Sequence, residues 1–144
     1  MIKAGIIGAS GYAGVELLRL LLNHDEVEVV AISSGSYLGQ ELASLYPSFY
    51  KVYDGKFVED NEVIEKSDIV FASLPHGLSE KYAKACNELG KKFIDLGADF
   101  RLDNEADYNH ILDLIKRIAP HVQNKVMHFK DSIPIFDRYN IEAQ

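Results

Sequence analysis

Two periodicities divide the early part of the chain. Ile2–Ile7 is short, apolar and closed by glycine, the pattern of a buried parallel strand. Tyr12 to about Asn23 carries apolar residues at Val15, Leu17, Leu18 and Leu20–Leu22, which predicts a helix ended by Asn23, His24 and Asp25. Val27–Ser33 (VEVVAIS) is β-branched and predicts a second strand. The stretch 35–53 is irregular and rich in aromatics, with a short helix expected over Leu38–Leu45 and a helical turn over Asn61–Glu65. Ile69–Ser73 predicts a third strand, Leu78–Leu89 an amphipathic helix with Gly90 at its C-terminal cap, and Lys92–Leu96 a fourth strand. Beyond them, Glu105–Ile118 reads as a helix stopped by Pro120, and Lys125–Phe129 as a fifth strand.

Strands alternating with helices predict an α/β fold, a Rossmann-like doubly wound parallel sheet in a single domain over residues 1–144. Ligands of such sheets bind beyond the carboxyl ends of the strands, so the segments after strands are where chemistry is expected. The first of these is Gly8-Ala9-Ser10-Gly11-Tyr12-Ala13-Gly14, spaced G-x-x-G-x-x-G. This is a variant of the dinucleotide fingerprint. The first glycine allows the tight turn, the second lets backbone approach a pyrophosphate, and the third lets helix and strand pack closely. The helix N-terminus offers N–H groups and partial positive charge to phosphate, and Ser10 adds a hydroxyl.

The second strand bears on the choice of cofactor. Enzymes that use NAD place an acidic residue near its end to bind the ribose 2′-hydroxyl. This strand ends in Ser33-Ser34-Gly35 with no carboxylate. Small hydroxyls suit a 2′-phosphate and favour NADP (NADPH), although the same serines would also start a turn, and no arginine follows closely.

Composition narrows the class. The chain has 144 residues, a formal net charge of −7 and one cysteine, Cys86, so no internal disulfide forms. With no signal-peptide core in evidence, a reducing cytoplasm is expected. No apolar run reaches membrane-spanning length, and the acidic total argues against nucleic acid as a partner. No metal-ligand pattern is expected. Tyr46, Phe49, Tyr50, Tyr53 and Phe57 form either a patch for a homo-oligomer or a core under the loop; both stay open.

Four motifs in order, GIIGASGYAGVELLRLL, AISS with Tyr46-Pro47 downstream, SLPHGLS and DLGADFRL, resemble the N-acetyl-γ-glutamyl-phosphate reductases of arginine biosynthesis, relatives of aspartate-semialdehyde dehydrogenase. The resemblance runs from Met1 to about Tyr108. It implies that Gly8–Gly14 binds the pyrophosphate of NADPH, that Ser33 and Ser34 lie at the adenosine 2′-phosphate, and that Leu74, Pro75, His76 and Gly77 flank the nicotinamide. Asp99 and Arg101 would border the active site or, equally, pair locally at a strand end, and the lesser reading of His76 is a loop residue capping a helix. The family's nucleophile is a cysteine in a motif like N-P-G-C-Y, which forms a thioester that hydride reduces; a histidine acts as acid/base. Neither motif occurs here. Cys86, mid-helix in YAKACNELG, reads as a core residue, so no catalytic residue is assigned and cofactor binding without catalysis is expected.

From about Tyr108 the resemblance changes. HILDLIKRIAPHVQNKV and MHFKDSIPIFDRYNIEAQ resemble a fragment of the ribonuclease E/G family, carried mostly by Phe136–Glu142. That fragment lacks the family's metal carboxylates and implies no nuclease activity. Two readings of the tail stand: a recombined or engineered chain, or a natural truncation whose end is similar by chance. In either, Ile111, Leu112, Ile115 and Ile118 would cover the sheet. Lys116, Arg117, Lys125, Lys130 and Arg138 fit a solvated face better than a weak RNA contact. A structural domain with no retained ligand is the alternative to cofactor binding.

Overall fold

The structure, a computed structural model, describes residues 1–97. Asp99, Arg101, the expected helix from Glu105, the expected strand from Lys125 and the ribonuclease-like stretch lie outside the described residues.

Five strands form one parallel sheet: β1 (Ile2–Ile7), β2 (Val27–Ser33), β3 (Phe57–Val58), β4 (Ile69–Ala72) and β5 (Lys92–Asp95), in the order β3-β2-β1-β4-β5. The helices are α1 (Tyr12–Leu21), α2 (Leu42–Leu45), α3 (Asp60–Lys66) and α4 (Glu80–Glu88), with a 3-10 turn at Pro47–Phe49. The order reverses direction at β1, between β2 on one side and β4 on the other. That is the switch point of an open α/β sheet, where a crevice opens above the strand ends.

Two apolar layers flank the sheet. On one face α1 delivers Leu18 against Ile6 and Ile32, and Leu42, Phe49 and Phe57 extend this layer. On the other face, Val63 and Ile64 of α3 and Tyr82 and Cys86 of α4 meet Ile7, Ala31 and Val70. The aromatic stretch therefore divides. Phe49 and Phe57 are buried, Tyr46 and Tyr53 pack against them, and Tyr50 is exposed. Packing under the loop explains four of the five rings. α3 lies close to β1 because of Gly5: a β-carbon there would sit 2.2 Å from Ser67 Oγ and 2.5 Å from Val63 Cγ1.

The expected strands Ile2–Ile7 and Val27–Ser33 match residue for residue. β3 was not expected. It is only two residues long, paired through Ile32 with Phe57 and Ser33 with Val58, too short for any period to show. The short helix is later than the expected Leu38–Leu45, because Gly39 takes φ +78° and turns the chain before Leu42. Gly90 caps α4 as expected. With φ +65° it donates to the Asn87 carbonyl (3.1 Å), while Lys91 donates to the Cys86 carbonyl (2.8 Å), the paired bonds of a Schellman motif.

Candidate functional site

The glycine loop leaves the end of β1 at the switch point. Gly8 has φ +82°, a region that L side chains rarely adopt, and a β-carbon there would lie 2.2 Å from the Ser73 carbonyl oxygen. Gly14, in the first turn of α1, meets the same limit: its β-carbon would lie 2.5 Å from the Gly8 carbonyl oxygen and 2.8 Å from Ala9 Cα. Both glycines are thus required by the protein's own packing. Gly11 differs. A β-carbon there would touch only the Gly8 carbonyl oxygen, at an ordinary 3.6 Å. Gly11 is exposed at the N-cap of α1, and no side chain caps that helix end. Tyr12 and Ala13, next in the chain, are also exposed, Tyr12 to 89%. The result is an open helix N-terminus with a bare backbone lip, a shape suited to an anion.

The loop is held from below and from the side. The Ser33 carbonyl accepts from both Gly8 N–H (3.1 Å) and Ala9 N–H (2.9 Å). The Tyr46 hydroxyl donates to the Ser10 carbonyl at 2.7 Å. The Ser10 and Ser34 hydroxyls share a hydrogen bond of 2.7 Å, and Ser36 N–H points at Ser34 Oγ from 3.4 Å.

The two serines at the end of β2 have different surroundings. Ser33 is fully buried, and its hydroxyl donates to Asp60 Oδ1 at 2.5 Å on the α3 side of the sheet. Ser34 stands beside the glycine loop. Both were expected at one phosphate; the geometry places only the Ser34 hydroxyl on the loop side.

The second expected segment follows β4. Ser73 N–H donates to the Ile7 carbonyl at 2.8 Å, and Leu74 Cδ2 would be 3.1 Å from a β-carbon on Gly8. Leu74 therefore borders the glycine loop directly. Pro75 and His76 are exposed beyond it, and Gly77 turns the chain with φ +88° into α4. At the start of α4, the buried Ser79 hydroxyl donates to Asp95 Oδ1 at 2.8 Å, and Gly97 N–H donates to the same oxygen at 2.9 Å. The two loops face each other across the ends of β1 and β4.

Cys86 lies fully buried in α4, and burial pushes its thiol up to about 11. That is the opposite of an activated nucleophile, whose thiolate must form near neutral pH. Among the described residues, no helix is long and apolar enough to cross a membrane. Among them, too, no group of three or more His, Cys, Asp or Glu could hold a metal ion.

A parallel sheet, a glycine turn at its switch point and an uncapped helix above it define a nucleotide cleft. The family model described as "Semialdehyde dehydrogenase, NAD binding domain" matches residues 3–129. The chain belongs to this family. Among its relatives, the N-acetyl-gamma-glutamyl-phosphate reductase of Clostridium botulinum (strain Eklund 17B / Type B) is 58% identical over 110 residues, which is 76% of this chain and 32% of the relative. The reductase of the same name from Brachyspira hyodysenteriae is 53% identical over 110 residues, 76% of this chain and 31% of the relative. The chain spans about a third of the length of these curated relatives. Among solved structures, the aspartate semialdehyde dehydrogenase of Candida albicans, determined with NADP, superposes with a TM-score of 0.59 at 19% identity, covering 87% of this chain and 40% of that one. At that identity the likeness is one of fold.

Three residues of this NAD-binding domain escaped the sequence reading: Tyr46 as a prop of the glycine loop, Asp60 as the partner of Ser33, and Asp95 as the partner of Ser79. Tyr46 was visible only within a Tyr-Pro pair and an aromatic stretch, neither of which pointed to the glycine loop. Asp60 and Asp95 carried no local signal.

Proposed function

We propose that this chain is the NADP-binding domain of an N-acetyl-γ-glutamyl-phosphate reductase. The observation that carries the reading is the contrast within the glycine loop: packing accounts for Gly8 and Gly14, whereas Gly11 faces open space at the uncapped end of α1, room that a pyrophosphate would use. The bare backbone at Gly11 and the uncapped N-terminus of α1 fit a pyrophosphate, bound by the N–H groups of Tyr12, Ala13 and Gly14. Ser10 and Ser34 orient hydroxyls at the adenosine side. With the Ser36 N–H they form a small donor set for a 2′-phosphate, and no carboxylate at the end of β2 opposes it. Ser33 supports this set from behind through its carbonyl. Leu74 to Gly77 lie where the nicotinamide end would reach. Bound NADPH supplies hydride; the described residues bind it, orient it and wall one side of it.

The likeness to the curated reductases supports the substrate class, an acyl phosphate reduced to a semialdehyde. The only cysteine here is the inert Cys86, so the thiol nucleophile of that chemistry is not among these residues, and the chain binds cofactor without reducing acyl phosphate. The identity to the reductases extends over 110 residues, while the family model reaches residue 129.

Calorimetric titration with NADPH and NADH tests the reading. Saturable NADPH binding is expected, tighter than NADH by about tenfold or more, since a charged hydrogen-bonded phosphate contributes about 1.5–3 kcal/mol. No saturation at millimolar NADPH would leave a purely structural domain.

A further inference from the structure

One buried polar cluster is left unused by the glycine-loop geometry. Asp60, the first residue of α3, accepts from Ser33 Oγ through Oδ1 (2.5 Å) and from the Tyr82 hydroxyl through Oδ2. Ser33 is fully buried and Tyr82 nearly so, within the apolar layer of Ile7, Ala31, Val63 and Cys86. Burial raises the Tyr82 hydroxyl's pKa, with the Asp60 hydrogen bond as the next cause, so Tyr82 stays a donor. One carboxylate thus accepts from two hydroxyls, one on the tip of β2 and one on α4.

What these hydroxyls are attached to gives the cluster its meaning. Ser33 is the residue whose carbonyl holds both Gly8 N–H and Ala9 N–H. Tyr82 is in the first turn of α4, directly after the second loop, Leu74 to Ser79. We propose that Asp60 is a positioning residue for the cofactor cleft: its carboxylate ties the tip of β2, which carries the glycine loop, to α4, which carries the opposite loop. Asp60 itself touches no cofactor. It sets the separation of the two walls before the dinucleotide arrives, and pre-set walls spare the cost of ordering them on binding. The inference rests on the cofactor reading above.

The test is NADPH affinity, read by fluorescence titration of the 144-residue chain well below its unfolding temperature, beside thermal unfolding of each variant. Asp60→Ala is expected to weaken NADPH binding about tenfold, the scale of one lost charge-assisted hydrogen bond. Asp60→Asn keeps an oxygen for Ser33 and is expected to restore affinity to within about threefold of the original. Ser33→Ala and Asp60→Ala are expected to be non-additive, the double variant binding no worse than Asp60→Ala alone. Should Asp60→Ala not fold, Ser33→Ala and Tyr82→Phe carry the test, each expected to weaken binding about threefold. Lowered melting temperatures with unchanged NADPH affinity in these variants would overturn the inference and leave the cluster structural. Failure of the unsubstituted chain to bind NADPH would overturn the cofactor reading first, and this inference with it.

Discussion

The two walls of the cleft are built differently. The loop after β1 is fixed at Gly8 and Ala9 by the Ser33 carbonyl, at Ser10 by Tyr46 and Ser34, and at Gly14 by contact with Gly8 itself. In the loop after β4, Ser73 donates to the Ile7 carbonyl and Ser79 to Asp95, and Pro75 and His76 are exposed between them. Under the proposed function the first wall would hold the pyrophosphate, the part of a dinucleotide common to every such cofactor. The second carries Leu74 to Gly77, the segment proposed to flank the nicotinamide.

Substitutions separate the two walls. The largest effect is expected from Gly8→Val. A side chain at φ +82° facing the Ser73 carbonyl should cost at least about 3 kcal/mol by combining left-handed strain with overpacking, seen as a lowered urea midpoint, and NADPH binding should vanish. Gly11→Ala should split stability from binding. The space around it is open, so stability should change by only about 0.5 kcal/mol, whereas NADPH affinity should fall about tenfold or more as the methyl meets the pyrophosphate. An equal loss in both would mean that Gly11 serves packing after all.

On the second wall, Ser79→Ala removes a buried donor to Asp95 and should lower stability by about 1–2 kcal/mol in chemical denaturation, with NADPH affinity changed by less than about threefold. The smallest effect is expected from Ser34→Ala: about a threefold loss for NADPH, none for NADH, and an unchanged melting temperature.

The glycine loop was legible because its logic is local: three glycines between an apolar strand and an apolar helix specify turn, lip and packing contact within seven residues. The strands at Ile2–Ile7 and Val27–Ser33 were legible for the same reason. Legibility ended where contacts are long-range. Asp60 is 27 residues from Ser33 and 22 from Tyr82, and nothing in DNEVIEK marks its carboxylate as the shared acceptor of two distant hydroxyls rather than an ordinary first-turn charge. Ser33 and Ser34 read alike in sequence, yet they lie on opposite sides of the strand tip, one serving α3 and the other the loop. β3 was invisible because two residues carry no period. Cys86 was read as a core residue from its place in a helix, and its burial and raised thiol agree.

The central claim is that the lip at Gly11 and the open end of α1 hold the pyrophosphate of NADPH. Titrating NADPH into the labelled chain and following the amide nitrogen–proton NMR spectrum tests it directly. The account predicts that the amides of Gly11, Tyr12, Ala13 and Gly14 shift most and saturate together, with Ser34 and Ser36 responding to NADPH more than to NADH. Saturable binding that leaves those four amides unmoved would contradict it.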